Sequence, residues 1–483
     1  MEAVRIMTFN FVRSFALNFP LLLFAFGGGL AIAQDTSEMR EVLARLDRLE
    51  KDNHALLEEV RALQKELSAM RPSDPPASAA LATADPQSVS AAQSATADQP
   101  TTDESRAVQQ NRIEELAQTK VEASQKFPIR ITGMALFNAY MNGRDNNQSE
   151  NPTIASLTPG AATGGGTLRQ STLGLLYDGP TIFDGGKVSG SLYMDFFGGS
   201  TSSLNQLVRL RTASVNLDWT DTSLSFGQEK PIISPRDPDS LAQVGVSPLT
   251  GAGNLWLWQP QVRLEQRFSF GSQSGLRAQV GVFQTSLLNT PSAPYASPLP
   301  NQPMENSDPA LETRLQWWRQ WSETHRLEIA GGFHANSNHV GRFSLPSDIY
   351  TLDWFFRPFD KLEFSGMYFH GRNVAVVGGL YQGYTVLPHG IWTSVESNGG
   401  WAQLRLPVTN RLAFDVYGGQ QDDRNADLLS GFIGKNQAYF ANVMYRLAGN
   451  VLVSLEGGQV RTTYFLIGNR LNDHYDLGIA YLF

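Results

Sequence analysis

The sequence predicts an almost entirely β chain: a sixteen-stranded antiparallel transmembrane β-barrel over residues 127–483, preceded by an N-terminal α-helical coiled coil. Three observations predict this fold class. Segments of about ten residues alternate apolar with polar side chains. The connections between these segments alternate long and short along the chain, and the last nine residues carry an apolar side chain at every second position. One apolar face and one polar face per strand are what a barrel in lipid requires.

The composition narrows the classes of protein and site that remain. The chain has 483 residues with 43 glycines, 10% aromatic and only 17% charged residues, which favours one large barrel over several soluble domains. It has no cysteine, so disulfides, thiolate metal sites, cysteine nucleophiles and lipid attachment through cysteine are excluded. The net charge of -8 and the lack of a basic stripe argue against a nucleic-acid partner. We expect no cofactor and no metal.

Residues 1–33 have the pattern of a secretory signal peptide. Arg5 and Arg13 precede an apolar run over 15–30, and a small-residue Ala-Ile-Ala site follows at 31–33. The alternative is an uncleaved membrane anchor, but Asn18, Pro20 and three glycines interrupt the run, which is short for a membrane span. We therefore expect cleavage and a mature chain outside the inner membrane.

Residues 34–71 carry five heptads in phase, which predict a coiled coil. Apolar residues recur at alternating steps of three and four from Met39 to Met70, with one polar residue in the seam. Asn53 in that seam favours two strands, whereas Leu43 and Leu57 widen it and favour more, so dimer and trimer both remain open. The residues expected to form the oligomer contact are Leu46, Leu49, Asn53, Leu56, Val60 and Leu63.

Two segments separate the coiled coil from the barrel. Residues 72–103 are rich in Ala, Ser, Pro, Thr and Gln and have too few bulky apolar residues to order themselves, so they predict a disordered linker. Residues 104–126 regain a helix-forming composition and predict a short helical lead-in.

The barrel strands are predicted from alternation and from their connections. In one example Leu327 and Ile329 alternate with Arg326 and Glu328. A soluble β-sandwich would show the same alternation with its faces reversed, but it has no reason to alternate long and short connections. Aromatic residues also cluster beside the short turns, as expected of an interfacial girdle. The sixteen strands are expected to begin near residues 129, 168, 187, 207, 223, 261, 275, 310, 325, 348, 362, 400, 411, 436, 451 and 473.

The C-terminal segment resembles a known assembly signal. Asp476, Gly478, Tyr481 and Phe483 follow the polar-x-Gly-x-x-aromatic-x-aromatic pattern that ends bacterial outer-membrane barrels. An ordinary edge strand is the alternative. The resemblance implies that the barrel assembly machinery and outer-membrane lipid are partners of this chain.

With the signal peptide, coiled coil, linker, sixteen strands and terminal aromatic together, the chain resembles the trimeric Gram-negative outer-membrane porins that carry a periplasmic N-terminal coiled coil. The dicarboxylate-channel and phosphate-selective types are the most similar. The resemblance covers nearly the whole chain but is architectural. Only Lys187, Lys230, Lys361 and Lys435 follow residue 127, so the lysine cluster of the phosphate-selective type is lacking.

A sixteen-stranded barrel is too wide for side chains to fill, so a water-filled channel is expected, with selectivity set by inward charges. We expect a basic wall to face an acidic wall that includes Glu456; the alternative is that these groups only pair across neighbouring strands. The candidate pore-lining residues are Arg209, Arg211, Arg263, Arg267, Arg277, Arg314, Arg326 and Arg405, with Glu265, Glu312, Glu328 and Asp415 opposite them.

The connection over 234–260 is the third outer loop, which in porins commonly folds into the lumen. Its charged run and its apolar stretch from Leu241 to Leu249 are too mixed for a freely solvated loop. We therefore expect a constriction formed by Arg236, Asp237 and Asp239 against the arginine wall.

These patterns predict a porin that passes small hydrophilic solutes, anions among them, by diffusion across the bacterial outer membrane. Its coiled coil would lie in the periplasm and support a homo-oligomer, which the resemblance implies is a trimer. An outer-membrane lipid hydrolase is one alternative, but the histidines are scattered and no G-x-S-x-G or H-E-x-x-H motif accompanies them. A barrel-anchored tether between outer membrane and cell wall is the other. We expect no catalysis.

Overall fold

The computed structural model describes residues 128–198, 206–284, 309–340 and 343–483, without the side chains of 339 and 340. The predicted signal peptide, coiled coil, linker and helical lead-in lie outside these residues. The barrel strands are β1 Ile129–Asn142, β2 in two segments Thr163–Thr167 and Thr172–Thr181, β3 Lys187–Gly198, β4 Leu207–Asp218, β5 Thr222–Glu229, β6 Gln259–Ser269, β7 Ser274–Phe283, β8 Ala310–Gln320, β9 Arg326–Val340, β10 Phe343–Phe359, β11 Leu362–Arg372, β12 Glu396–Pro407, β13 Leu412–Asp423, β14 Ile433–Ala448, β15 Val451–Tyr464 and β16 Gly468–Leu482.

The strands form one closed antiparallel sheet in chain order. Both segments of β2 pair with consecutive parts of β1, so they are one interrupted strand and the barrel has sixteen strands. β16 pairs with β1 in a register that runs from Met134 opposite Leu482 to Asn142 opposite His474. The predicted strand number and the closure of the last strand on the first are confirmed.

The two faces of the sheet differ as predicted. On β16, Leu477 and Ile479 are 40% and 44% exposed, whereas the alternating Asp476 and Ala480 are 2% and 0% exposed. The same alternation of exposed apolar and buried polar side chains runs through the other strands. The apolar rows therefore point outward, where hydrocarbon would cover them, and the charged rows point into the barrel.

The connections at the two ends of the barrel differ in length. At one end the turns are short, for example 219–221, 360–361 and 449–450. At the other end lie the long connections 143–162, 230–258 and 373–395, here called loop 1, the inner loop and loop 6.

Two connections expected to be long are tight. Only residues 341–342 separate β9 from β10, and only 465–467 separate β15 from β16. The strands continue further than predicted, and polar, outward-facing side chains meet across their outer ends. The hydroxyl oxygens of Ser337 and Ser344, diagonal neighbours in the register, lie 2.7 Å apart.

The remaining elements are small. Loop 6 contains a two-stranded hairpin, Tyr384–Leu387 with Ile391–Ser394. Short 3₁₀ turns lie at Phe183–Gly185, Val374–Val377, Pro388–Gly390 and Asn425–Asp427. Within the described residues, no helix is long and apolar enough to cross a membrane.

Candidate functional site

The inner loop lies inside the barrel. Every residue from Lys230 to Leu255 is buried or half-buried. Its contacts reach strands on all sides of a closed cylinder, which only a segment within the lumen can do. In loop order, its hydrogen-bond partners on the wall are Glu312 on β8, Asp353 on β10, Gln403 on β12, Glu456 on β15, Asn138 on β1, Gln170 between the two segments of β2, and Arg211 on β4.

The three charged residues predicted to form a constriction are all in this loop, and each is bound. Arg236 donates to Asp353 at 2.9 Å and forms a second ion pair with Glu328. Asp239 accepts from Gln403 at 2.8 Å and lies 3.4 Å from the guanidinium of Arg405. These contacts fix the middle of the inner loop to β9, β10 and β12.

Asp237 binds the inner loop to itself. Its carboxylate pairs with Lys230 at the start of the loop and accepts from Asn254, near the end, at 2.7 Å. Ser247 donates to it at 3.4 Å. Burial lowers the pKa of Lys230, and the neighbouring charge of Asp237 opposes that shift. Buried, charge-assisted hydrogen bonds to Asp237 therefore hold the two ends of the inner loop together, rather than strand pairing.

The predicted basic wall is present, and its arginines pair with carboxylates that lie on the same wall. On β4, Arg209 makes two hydrogen bonds to Asp195 of β3, at 3.1 and 2.6 Å. On β6, Glu265 pairs with Arg267 at 2.8 Å and with Arg277 of β7 at 3.5 Å. The predicted arginines on this wall are Arg209, Arg211, Arg263, Arg267, Arg277, Arg314 and Arg326, on β4 and β6 to β9.

Three acids were expected on the wall opposite the arginines and lie among them instead. Glu265, Glu312 and Glu328 are on β6, β8 and β9. Glu312 faces His334 of the next strand, and its carboxylate lies 2.9 Å from Nδ1 of that ring. Glu328 accepts from Arg326, two residues away on its own strand, at 3.1 Å, so these acids are paired within the basic wall.

The far wall carries more carboxylates than arginines. Asp415 on β13 lies directly opposite Arg405 on β12 and pairs with it at 3.1 Å. Glu456 on β15 and Asp476 on β16 continue the same lumen-facing row. The barrel therefore has an arginine-rich half over β4 to β9 and a half over β13 to β16 where carboxylates outnumber bases.

Aromatic rings separate the arginines near β3 and β4. The Arg209 and Arg211 guanidinium carbons lie 5.2 and 4.8 Å from the ring of Trp258 at the end of the inner loop. The Arg169 guanidinium lies 4.5 Å from the ring of Phe197. Rings at these distances stabilise guanidinium groups that are partly removed from water. Neither Arg169 nor Phe197 was among the residues predicted from the sequence.

Loop 6 also enters the lumen, which the sequence analysis did not predict. Val376 and Val377 accept hydrogen bonds through their carbonyls from Gln259 at 2.8 Å and Leu257 at 3.2 Å. An apolar cluster joins loop 6, the inner loop and the wall; it contains Ile233, Leu249, Ala252, Leu255, Ile349, Met367, Phe369, Val374, Val376, Val377, Trp401, Tyr417, Ala438, Phe440 and Val460. The apolar Val374–Val377 run was the only available signal for it.

A glycine lets the inner loop touch the wall directly. Gly253 has φ +105°, and a Cβ placed there would lie 2.2 Å from the carbonyl oxygen of Gly400 on β12. A Cβ at Gly419 of β13 would similarly meet the carbonyl oxygen of Ala252 at 2.3 Å. The contact is backbone against backbone, so no side chain fits there.

Of the remaining predicted residues, the structure describes those of the C-terminal assembly signal. Asp476 points inward, Tyr481 points outward, and Phe483 pairs through its backbone with Gly133 of β1 at 2.9 and 3.1 Å. A Cβ at Gly478 would lie 3.2 Å from that of Leu241 in the inner loop. The oligomer-contact residues lie outside the described residues. Among the side chains that are described, no group of three or more His, Asp or Glu could hold a metal ion.

No family model and no curated protein matches the sequence. The structure is similar to the outer membrane channel DcaP of Acinetobacter baumannii, with a TM-score of 0.57 and 16% identity over 74% of this chain and 97% of that one. Lower similarity is found to an anion-selective porin from Comamonas acidovorans (TM-score 0.49, 14% identity, 74% of this chain and 99% of that one covered) and to OmpT of Vibrio cholerae (TM-score 0.43, 10% identity, 74% and 97% covered). The first likeness confirms the expected barrel fold.

Proposed function

We propose that this chain is an outer-membrane porin, a channel through which small hydrophilic solutes, anions among them, diffuse down their gradients. The observation that carries the proposal is the inner loop held within a closed barrel whose outer surface is apolar and whose lumen is charged. Such a barrel is stable only in a bilayer, because its exposed apolar rows need hydrocarbon and its charged rows need water. A charged lumen narrowed by a loop is an arrangement that selects solutes by size and charge.

The residues proposed to set the bore and its field are those the sequence analysis named. Arg236, Asp237 and Asp239 fix the inner loop, and the arginines of β4 to β9 face the carboxylates of β13 to β16 across the lumen. A transverse field between such walls orients dipolar solutes as they pass. No reaction is catalysed, and no cofactor takes part.

The proposal includes the segments outside the barrel. Residues 1–33 direct secretion, 34–71 form a periplasmic coiled coil that supports a trimer, and 72–103 connect it flexibly. Asp476 to Phe483 is the signal read by the barrel assembly machinery. The similarity of the fold to DcaP, itself described as an outer membrane channel, supports the location.

The test is the conductance of the purified, refolded protein in a planar bilayer. Stepwise conductance increases are expected, and the zero-current potential in asymmetric salts of different ion size gives the preference for anions or cations. Swelling of liposomes in small sugars and amino acids extends the measurement to neutral solutes. Folded protein that inserts without conducting would refute the proposal.

A further inference from the structure

Two carboxylates lie side by side beneath the inner loop. Glu456 on β15 and Asp476 on β16 are paired directly in the strand register, and both are 2% exposed. Facing residues on one side of an antiparallel pair have Cβ atoms about 4.5 to 5.5 Å apart. Neither carboxylate forms an ion pair with any described residue. Two like charges this close, out of water, are strongly unfavourable.

The hydrogen bonds of Glu456 identify it as the ionised member. It accepts from Ser240 of the inner loop at 2.7 Å, from Tyr417 of β13 at 2.7 Å and from Asn442 of β14 at 3.1 Å. Ser240 is oriented as the donor because its oxygen accepts the backbone N–H groups of Ala242 and Gln243. Three donors on one carboxyl group favour its charged form.

Asp476 has the opposite surroundings. Its Oδ1 accepts from Asn138 of β1 at 2.9 Å, and its buried Oδ2 has no partner within the described structure. The same Asn138 amide donates to the carbonyl of Leu241 in the inner loop at 2.8 Å. One hydrogen bond cannot compensate a second buried charge beside Glu456, so the proton belongs on Asp476.

The other titratable and charged groups around this pair are already engaged. Asp239 of the inner loop and Asp415 of β13 share Arg405 of β12. His474, two residues before Asp476 on the same face, has its Nδ1 2.6 Å from the side-chain oxygen of Asn142. Tyr140 of β1 lies opposite Asp476 in the register. None of these supplies a positive charge to the pair.

We propose that one proton held between Glu456 and Asp476 keeps the inner loop in place, and that its loss at alkaline pH releases the loop and widens the lumen. Repulsion between the two charged carboxylates would move Glu456 away from Ser240 and Asp476 away from Asn138, and these contacts anchor residues 240–241 to β15, β16 and β1. The readout by conductance rests on the proposed channel function; the loop movement itself does not.

The first experiment compares the wild type with Asp476→Asn in planar bilayers from mildly acidic to mildly alkaline pH. The asparagine keeps the shape of the protonated acid and cannot ionise. Wild-type conductance is expected to rise with pH, with the ratio of the two states changing at most about tenfold per pH unit because one proton is lost. The conductance of Asp476→Asn is expected to stay at the acidic value. Equal pH responses of the two proteins would overturn the proposal.

Because Asp476 is also in the assembly signal, a second variant avoids dependence on its folding. In Glu456→Gln the ionised Asp476 has no neighbouring charge to repel it, so the conductance is expected to stay at the acidic value at every pH, as in Asp476→Asn. A pH response equal to that of the wild type would contradict the proposal. The matched control is Asp473→Asn on the outward face of β16, where the Asp473 carboxylate accepts from Gln459 at 2.7 Å. Its conductance should respond to pH like that of the wild type.

A second readout does not need conduction. The chain has no cysteine, so Val246→Cys places a single thiol in the half-buried part of the inner loop. The rate of thiol labelling, divided by the rate for the same cysteine in the Asp476→Asn background, should rise with pH as the loop is released. The division removes the ordinary ionisation of the thiol. A ratio that stays constant with pH would refute the proton-dependent release of the inner loop. Failure of the protein to conduct at every pH would refute only the proposed channel function.

Discussion

At the scale of single residues, buried charges hold the lumen in one arrangement. Asp237 joins Lys230, Ser247 and Asn254, and Arg236 joins two strands of the wall. Removing one partner of a buried pair leaves the other charge uncompensated, which costs far more than losing an exposed pair. The residues that fix the bore are therefore those with the most buried ionic contacts.

Asp237→Ala is expected to destabilise the barrel and to loosen the inner loop. Lys230 would remain buried without its carboxylate, at a cost of about 3 to 5 kcal/mol. The loss should appear as a lower temperature of the heat-induced mobility shift in electrophoresis, together with noisier, larger conductance steps. Asp360→Ala, in an exposed short turn where Thr324 and His325 lower the pKa of Asp360, is the control and should change neither. Equal effects of the two substitutions would contradict this account.

Gly253→Ala tests the backbone contact of the inner loop with β12. The added methyl group clashes with the Gly400 carbonyl oxygen. An alanine held at the positive φ of Gly253 costs about 1 to 3 kcal/mol more. The loop should move away from the wall, which single-channel conductance would report. Gly271→Ala is matched, because Gly271 has φ +78° and open space around it. It carries the strain without the clash, so a conductance change there as well would exclude the steric explanation.

At the scale of elements, the inner loop is the part on which the bore depends. It contacts the wall from β8 round to β4, and loop 6 packs on its second half through Val376 and Val377. A loop held at this many points cannot retract without breaking several buried hydrogen bonds at once.

Deleting residues 238–252 should raise single-channel conductance, because it removes the segment that crosses from β12 to β4. The expected companion effect is lower thermal stability, since Gln170, Arg211 and Glu456 would lose their loop partners. Single-channel recordings of folded, heat-modifiable protein measure the first effect. An unchanged conductance would show that the loop does not limit the bore.

How far the sequence predicted these elements depends on the range of the interactions involved. The strand period is local, so β16 and its faces follow directly from residues 475–483. The partner of Arg236 is not local: Asp353 is 117 residues away, and only the path of the loop brings them together. Glu265 shows the same limit, because its inward direction was predictable and its pairing with Arg277 of the next strand was not. The entry of loop 6 into the lumen depended on packing that has no sequence period.

At the scale of the whole molecule, the barrel is a closed and self-sufficient unit. Its sheet has no free edge, since β1 pairs with both β2 and β16. Closure satisfies every ladder between neighbouring strands, which a bilayer demands. The oligomer and the barrel are therefore separable, and the proposed coiled coil should affect assembly rather than conduction.

Removing residues 34–71 is expected to weaken the proposed trimer while each barrel continues to conduct. Crosslinking and native electrophoresis measure the first effect, and planar-bilayer recording measures the second. Removing residues 72–103 instead, a segment of similar length, is the control and should leave assembly intact. Loss of conduction in a folded barrel without 34–71 would favour the alternative in which the coiled coil carries the function.

The inner loop also bridges the line where the sheet closes on itself. Asn138 of β1 donates to both Leu241 of the loop and Asp476 of β16. Separating β1 from β16 thus requires moving the inner loop, which is also hydrogen-bonded to β8, β10 and β12. The inner loop therefore stabilises the pairing of β1 with β16 from inside the barrel. Mechanical or thermal unfolding should begin at a different pair of neighbouring strands.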